Sequence, residues 1–209
     1  ILANHDEEQF EIFCYYNHLQ RDAITDRIQA QVDHWLPCLG LSDELLAARI
    51  RNDGIDILID LSGHAGGGRL MTFARKPAPV QITYLGYPGT TGLSSMNYRI
   101  TDGHADTKRS EHFYSEKLLR LPDSLCCYQP ALGMTEVSTL PALKNGYVTF
   151  GSFNNSNKID QYTINLWAQV LTAIPSSRLV MVTIPEGARR DLILSQFENE
   201  GVAKERIDF

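Results

Sequence analysis

The stretch "NDGIDILIDLSGHAGGGRLMTFARKPAPVQITYLGYPGTTG" at residues 52–92 contains two apolar runs, and each run ends in glycines. The first run, "IDILIDL", is typical of a short buried strand and opens into "SGHAGGGR" at 62–69. The second run, "VQITYLG", is typical of another strand and opens into "LGYPGTTG" at 85–92. A short helix over 67–76, stopped by Pro77, connects the two. The spacing predicts a parallel βαβ unit with both turns at carboxyl ends of strands, where ligands of such sheets bind.

Strand and helix patterns alternate along the rest of the chain as well, which predicts an α/β fold with parallel sheets. The elements that we predict are strands at 10–16, 98–102, 117–121, 147–153 and 178–185 and from 206, and helices at 23–35, 41–54, 160–175 and 186–201. Residues 128–146 contain prolines and glycines and show weak periodicity, which is typical of a linker. We therefore predict an N-terminal unit at 1–130, a linker at 131–146 and the start of a second unit at 147–209.

Composition excludes several classes of protein. The chain has 209 residues, is 43% hydrophobic and lacks low-complexity tracts, so it can build a core. Its net charge of −6 argues against a nucleic-acid-binding surface. Its four cysteines are too few for a secreted disulfide scaffold, and no run reaches the roughly 20 apolar residues of a membrane helix. We expect a cytoplasmic protein of which this chain is one part, because it opens without methionine and stops on a strand-like "RIDF".

The first glycine-rich turn has two interpretations. Backbone N–H groups at Gly66 and Gly67 can approach an anion, with Arg69 supplying positive charge. The alternative is a plain strand-to-helix turn. His64 within it is either a general base or ligand contact, or a structural histidine. The glycines do not match the dinucleotide fingerprint, and no acidic residue ends the next strand, which disfavours a nicotinamide dehydrogenase.

Two further segments carry candidate chemistry. The turn at 85–92 either wraps a ligand or only reverses the chain. In "GSFNNSNKID" at 151–160, Lys158 precedes a helix N-terminus, where a cation has the wrong sign for the helix dipole unless an anion is shared. The alternative is a solvated lysine. A C-x3-H and H-x3-C pattern has metal-like spacing, but its members fall on a strand and loops, so we expect no metal site.

Three segments make the chain similar to a known family. "RKPAPVQITYLGYPGTTGLSSMNYRITD" at 75–102 closely resembles the catalytic region of the O-GlcNAc transferase/SPINDLY family. "YSEKLLRLPDSLCCYQP" at 114–130 and "GYVTFGSFNNSNKID" at 146–160 resemble the stretches that follow it. "YRITD" and "FGSFNN" favour SPINDLY and its bacterial relatives over the animal enzyme. The resemblance covers essentially the whole chain.

The resemblance implies a GT-B glycosyltransferase with two Rossmann-like lobes and a donor cleft between them. Such an enzyme transfers a sugar from UDP-GlcNAc or GDP-fucose to serine or threonine hydroxyls of proteins, needs no metal or other cofactor, and carries tetratricopeptide (TPR) repeats upstream. By position, Lys158 matches the diphosphate-binding lysine and Asn155 lies near the donor-binding polar residues. Gly86, Tyr87 and Pro88 match the loop that closes on donor and acceptor.

Departures from the family pattern limit what this chain can do. The family's histidine motif is expected before residue 1, and the nucleobase contacts beyond residue 209. Thr183 stands where relatives often carry a basic residue. We therefore expect residues 1–209 alone to be inactive. Two other interpretations stay open: a GT-B enzyme with a non-protein acceptor, and a binding scaffold whose catalytic site has decayed.

Overall fold

The computed structural model describes residues 1–130 and 133–209 and divides the chain into two compact units, Ile1–Pro130 and Ala131–Phe209. The first unit contains two parallel sheets and the second contains one, and helices alternate with the strands along the chain. Every strand pair in the described ranges is parallel. The α/β fold with parallel sheets that the sequence predicts is therefore confirmed.

The first unit contains a two-stranded and a four-stranded sheet. Its helices and strands are β1 (Phe13–Tyr16), α1 (Ala23–Gln29), β2 (His34–Pro37), α2 (Asp43–Asn52), β3 (Ile57–Asp60), α3 (Leu70–Ala74), β4 (Val80–Tyr84), β5 (Tyr98–Asp102) and β6 (Lys117–Leu121). The larger sheet has the order β3-β4-β5-β6, so successive strands lie side by side. The predicted strands at 98–102 and 117–121 are found at those residues.

Helix α2 begins and ends where the sequence indicates. The Ser42 hydroxyl accepts a hydrogen bond from the Leu45 N–H, which satisfies one of the free donors of the first turn. Gly54 follows the helix with φ of +70°, a conformation that glycine adopts without strain. The helix buries one apolar stripe, Leu46, Ala47 and Ile50, against the sheet core.

The predicted helix at 23–35 is wrong in its second half. Helix α1 ends at Gln29, and His34–Pro37 forms strand β2 beside β1. The backbone N–H of Ile12 donates to the Asp33 carboxylate at 2.7 Å, and the Ile12 carbonyl accepts from the His34 N–H at 3.0 Å. These contacts with a distant segment outweigh the helical spacing of the apolar residues, because tertiary pairing overrides local propensity.

One face of the four-stranded sheet is buried but polar. In the strand register, Asp60 lies beside Thr83 and Thr83 beside Arg99. These side chains, with Gln81 and Thr101, are almost completely buried. Buried polar groups require hydrogen-bond partners. The turns that follow β3 and β4 supply partners for Asp60 and Arg99. Gln81 donates to the carbonyls of Phe73 and Ser95, and Thr101 donates to Asp106.

The second unit has three parallel strands in the order β7-β8-β9. Its elements are α4 (Pro141–Asn145), β7 (Thr149–Ser152), α5 (Gln161–Ala173), β8 (Arg178–Met181), α6 (Ala188–Asn199) and β9 (Ile207–Asp208). Asp160 caps α5 by accepting the Thr163 N–H at 2.8 Å. None of the helices within 1–130 and 133–209 has both the length and the apolar character needed to cross a bilayer.

The predicted linker at 131–146 contains helix α4, which ends at Gly146 in the left-handed conformation. Residues 131 and 132 of that linker lie outside the described residues. Large apolar side chains here are solvent-exposed, with Val137 98% and Leu143 82% accessible. The hinge position within this segment stays a prediction.

We expect limited proteolysis with a non-specific protease to cut first within 128–146. Exposed backbone that is outside the two cores opens for a protease at little free-energy cost. Mass spectrometry of the first products should give fragments that end in this segment. First cleavage within 55–86, which includes β3 and β4, would contradict the division.

Candidate functional site

Asp60 fixes the start of the first glycine-rich turn. It is the last residue of β3 and is only 3% exposed. Its carboxylate accepts the backbone N–H groups of Ser62 at 3.1 Å and Gly63 at 2.9 Å. The same carboxylate accepts the Thr83 hydroxyl from the neighbouring strand at 2.8 Å. The turn therefore leaves the sheet in a direction set by a buried, fully hydrogen-bonded carboxylate.

The two glycine-rich turns are in close backbone contact. A Cβ atom on Gly86 would lie 2.2 Å from the Leu61 carbonyl oxygen, and one on Gly63 would lie 2.7 Å from Cβ of Tyr87. Gly63 also has φ of +55°. These glycines are required by contact between the turns. Gly66 differs, because a Cβ there would meet open space.

His64 bridges the same two turns. Its Nε2 lies 3.1 Å from the carbonyl oxygen of Thr90, and its ring packs edge-on to Tyr87 at 5.2 Å. A carbonyl oxygen only accepts, so Nε2 must carry the hydrogen. In the neutral ring, Nδ1 then holds the lone pair. His64 is exposed, so Nδ1 is the ring atom that can accept a proton from a ligand.

Glu116 holds the far end of the second turn. It is 5% exposed and accepts the Thr91 N–H at 2.6 Å, the Thr90 hydroxyl at 2.7 Å and the Thr91 hydroxyl. Burial by itself raises the pKa of this carboxyl, but the hydrogen bonds from Thr91 and Thr90 outweigh it and hold the pKa below its ordinary value. The carboxylate is therefore charged when the turn is in place.

Arg99 holds the middle of the second turn. Its Nη1 donates to the carbonyl oxygens of Tyr87 at 2.9 Å and Gly89 at 3.1 Å. Its Nε lies 3.5 Å from Asp106, which also accepts the hydroxyls of Thr101 and Tyr114. Burial raises the pKa of Asp106, but these two hydroxyls and the guanidinium together lower it below its ordinary value.

The predicted donor-binding residue Arg69 is engaged within the first unit. Its Nε donates to Asp43 at 2.9 Å, Nη1 to the Asn17 side chain at 3.2 Å and Nη2 to the Leu41 carbonyl at 2.7 Å. Asn17 in turn donates to the Gly67 carbonyl at 2.9 Å. The guanidinium thus joins the turn to α2 and to the loop after β1. A role in donor binding stays a prediction.

Lys158 lies at the carboxyl end of β7 in the second unit, in a 3₁₀ turn at Ser156–Lys158. Its side chain is exposed, and among the described residues its Nζ atom has no hydrogen-bond or ion-pair partner. Asn155 begins the turn by accepting the Asn157 N–H at 2.9 Å. Because Asp160 already caps α5, an anion at this place would meet Lys158 and the exposed polar loop more than the helix N-terminus.

The Thr183 hydroxyl is engaged within the second unit. Thr183 has φ of +69°, which is strained for a β-branched residue, and its hydroxyl donates to the Asn154 carbonyl at 3.1 Å. It therefore joins the loop after β8 to the loop after β7.

A cavity of about 350 Å³ next to β7 is lined by apolar side chains such as Phe150 and Trp167 and does not include Lys158.

Three comparisons with known proteins give the same family. A family model described as glycosyl transferase family 41 matches residues 1–129. This chain belongs to glycosyl transferase family 41. The SPINDLY protein of Petunia hybrida, named a probable UDP-N-acetylglucosamine–peptide N-acetylglucosaminyltransferase, is 41% identical over 99% of this chain. The SEC protein of Arabidopsis thaliana, with the same enzyme name, is 33% identical over 88%.

The fold of this family 41 chain is shared with a solved structure. A mutant of the O-GlcNAc transferase of Thermobaculum terrenum matches 99% of this chain with a TM-score of 0.92 at 36% identity. The GT-B class and the family predicted from the sequence motifs are thereby confirmed. This chain covers 39% of that solved chain, and 23% and 20% of the SPINDLY and SEC relatives.

The residues that fix the two turns of the candidate site were not identified from the sequence. Asp60, Arg99 and Glu116 are buried charged groups bonded to turn backbone. A charged residue inside a short apolar strand, as in "IDILID" and "YRITD", is the signal that marks the first two. Glu116 has no comparable signal, because it lies in a polar segment.

We expect Gly86→Ala to lower the free energy of unfolding by about 2 kcal/mol or more, because its Cβ would overlap backbone that cannot rotate away. Gly66→Ala is the matched control and should stay within about 0.5 kcal/mol of wild type. Urea unfolding measures both. Equal stabilities for the two variants would show that the turns are not in contact through Gly86.

We expect the stabilising effect of Glu116 to depend on pH. Its folded-state pKa is lowered, so its contribution is present above the unfolded-state pKa of about 4.3 and is lost as pH falls through the folded-state pKa. Glu116→Gln should lower stability by about 1.5–3 kcal/mol at neutral pH and by progressively less below pH of about 4. Melting temperatures from pH 7 to 3 measure this difference. Exposed Glu7→Gln is the control, and a Glu116→Gln difference that is constant over this range would refute the argument.

Proposed function

We propose that the protein containing this chain transfers a sugar from a nucleotide-sugar donor to serine or threonine hydroxyls of a protein acceptor. The relatives are named probable UDP-N-acetylglucosamine–peptide N-acetylglucosaminyltransferases, which supports UDP-GlcNAc as the donor. GDP-fucose is the alternative donor that the sequence motifs leave open. The observation that carries the proposal is the exposed Lys158 in the loop after β7, which has no hydrogen-bond or ion-pair partner within the described ranges 1–130 and 133–209, in a chain so similar to those relatives.

In this proposal, Lys158 binds the donor diphosphate and stabilises it as it leaves. The acceptor hydroxyl oxygen attacks the anomeric carbon, the bond from that carbon to the diphosphate breaks, and the nucleoside diphosphate departs with the electron pair. Negative charge grows on the phosphate oxygen during this step. A fixed ammonium next to that oxygen therefore stabilises the transition state more than the ground state. No metal ion or other cofactor is required.

In this proposal, the glycine-rich turns of the first unit supply the base and contact the sugar and the acceptor. The hydroxyl proton passes to a base, and Nδ1 of His64 is the candidate because Nε2 is held by Thr90. The backbone of Gly66 and Gly67, where an added Cβ atom would meet open space, and the loop of Gly86, Tyr87 and Pro88 contact the sugar and the acceptor. We further propose upstream TPR repeats that capture the acceptor protein, and a cytoplasmic location.

The first test is a donor screen with the full-length protein that contains this chain. UDP-GlcNAc and GDP-fucose are each incubated with it and a serine/threonine-rich protein acceptor, with and without EDTA. Mass spectrometry should detect one sugar class on the acceptor at a rate that EDTA does not change. Donor hydrolysis without acceptor modification would favour a non-protein acceptor. No turnover of any nucleotide sugar would favour the decayed scaffold.

We expect Lys158→Ala to lower kcat by roughly two orders of magnitude with little change in melting temperature, because charge stabilisation in the transition state is lost and an exposed lysine contributes little to the core. Lys204→Ala is the matched control. Lys204 is also exposed and lies in a 3₁₀ turn of the same unit, but that turn precedes a strand. In a parallel sheet, it therefore lies at the amino-end edge.

The Lys204→Ala variant should keep wild-type turnover. Unchanged kcat in Lys158→Ala would make Lys158 a solvated surface lysine. A collapsed melting temperature would make it a structural residue. Equal losses of activity in both variants would point to a general charge effect rather than a diphosphate contact.

A further inference from the structure

We propose that Arg99 is a positioning residue that sets the geometry of the 85–92 turn. Through that geometry it sets the affinity for the nucleotide-sugar donor, and this effect on affinity rests on the proposed function. Arg99 is on β5 and does not belong to the turn. Its guanidinium is 4% exposed, and three of the groups around it are the Tyr87 carbonyl, the Gly89 carbonyl and the Asp106 carboxylate.

The turn cannot hold its own conformation by backbone pairing alone. It begins at Leu85 with φ of +64°, a conformation that is unfavourable for a residue with a Cβ atom. Within it, the Gly86 N–H donates to the Tyr84 carbonyl and the Gly89 N–H to the Tyr87 carbonyl, both of which are tight local turns. A strained segment persists only where its surroundings fix it. Arg99, on the neighbouring strand β5, supplies that constraint by donating to the Tyr87 and Gly89 carbonyls.

Only an arginine can make this set of contacts. One guanidinium nitrogen donates to both carbonyl oxygens while another faces Asp106, and Cζ lies over the Tyr114 ring at 5.6 Å from its centroid. A lysine ammonium has one charged nitrogen and no planar fork, so it cannot span the carboxylate and both carbonyls. The charge is retained in Arg99→Lys, but the geometry of the turn is not.

Arg120 offers a matched control on the adjacent strand. Its guanidinium is also bonded to the Asp106 segment: Nε donates to the Asp106 carbonyl at 2.8 Å, Nη1 to Glu111 at 2.7 Å and Nη2 to the Thr107 carbonyl at 3.0 Å. None of these partners is in the 85–92 turn. Arg120→Lys therefore makes the same chemical change one strand away.

The first measurement is amide hydrogen exchange of the full-length protein without substrate. In Arg99→Lys, exchange of the amides in 85–92 should speed up about tenfold or more, whereas Arg120→Lys should leave them within about twofold of wild type. Unchanged exchange in Arg99→Lys, or an equal rise in both variants, would overturn the proposal. This experiment does not depend on the identity of the reaction.

The second measurement is steady-state kinetics with the donor that the wild-type protein uses. A misplaced loop should raise the donor KM about tenfold in Arg99→Lys while kcat changes by less than about threefold, and Arg120→Lys should change neither. Equal falls in kcat for both variants would show a merely structural role. If the wild type transfers no sugar, the proposed function fails. The exchange experiment still tests whether Arg99 holds the 85–92 turn.

A second variant keeps the test valid if Arg99→Lys does not fold. Asp106→Asn leaves Arg99 in place and removes the charge that orients its Nε atom. Exchange in 85–92 should then rise about threefold, less than for the loss of the guanidinium itself. Exchange at the wild-type rate in Asp106→Asn would contradict the role assigned to Arg99.

Discussion

The candidate site of the first unit depends on the need of buried backbone groups for hydrogen-bond partners. The contact between the turns after β3 and β4 leaves several of their backbone groups buried or half-buried, among them the N–H groups of Gly63 and Thr91 and the carbonyl oxygens of Tyr87 and Gly89, whereas most residues of the turns stay exposed. Three charged side chains provide the partners: the Asp60 carboxylate for the start of the first turn, and Arg99 and Glu116 for the middle and end of the second. A buried charge without partners is very unfavourable, and so is an unpaired buried amide. Each satisfies the other here, which is why the inner face of this parallel sheet is polar where an apolar face is usual.

The glycines complete this arrangement from the other side. Gly63 and Gly86 allow the two turns to approach to a distance that no side chain permits, and the charged anchors then fix them in that contact. Gly66 is not required for this contact. The absence of a side chain at Gly66 leaves room for the close approach of a ligand. Strained backbone occurs at Leu85 and Thr183, each directly or shortly after a strand of its own unit. Such strain is typical of sites where conformation is fixed for function.

The sequence predicts the fold of this chain well and its site only in part. Strands β5 and β6 and the capped ends of α2 and α5 follow from local signals, because alternating burial and N-cap chemistry act within a few residues. The predicted helix at 23–35 runs into the first two residues of strand β2, since the pairing of β2 with β1 depends on residues more than twenty positions away. The same limit applies to the site. That Lys158 follows a strand could be inferred from order along the chain, but that Arg69 bonds to Asp43 and Arg99 to the 85–92 turn depends on three-dimensional packing.

The basic residues near the candidate sites differ in what already neutralises them, and this difference bears on function. Arg69 has a carboxylate, an amide oxygen and a carbonyl as partners, and Arg99 has a carboxylate and two carbonyls. A guanidinium whose donors are used in this way can orient a loop, but it would have to break those bonds to bind an incoming anion. Lys158 has no such partners among residues 1–130 and 133–209, and it lies in the loop after β7, at the edge of the sheet where ligands of parallel sheets bind. Under the proposed function, a leaving diphosphate needs a cation without a competing partner, because its interaction with that cation strengthens as the bond to the sugar breaks. Of these three residues, only the lysine meets that requirement, whereas the two arginines hold turns of the first unit.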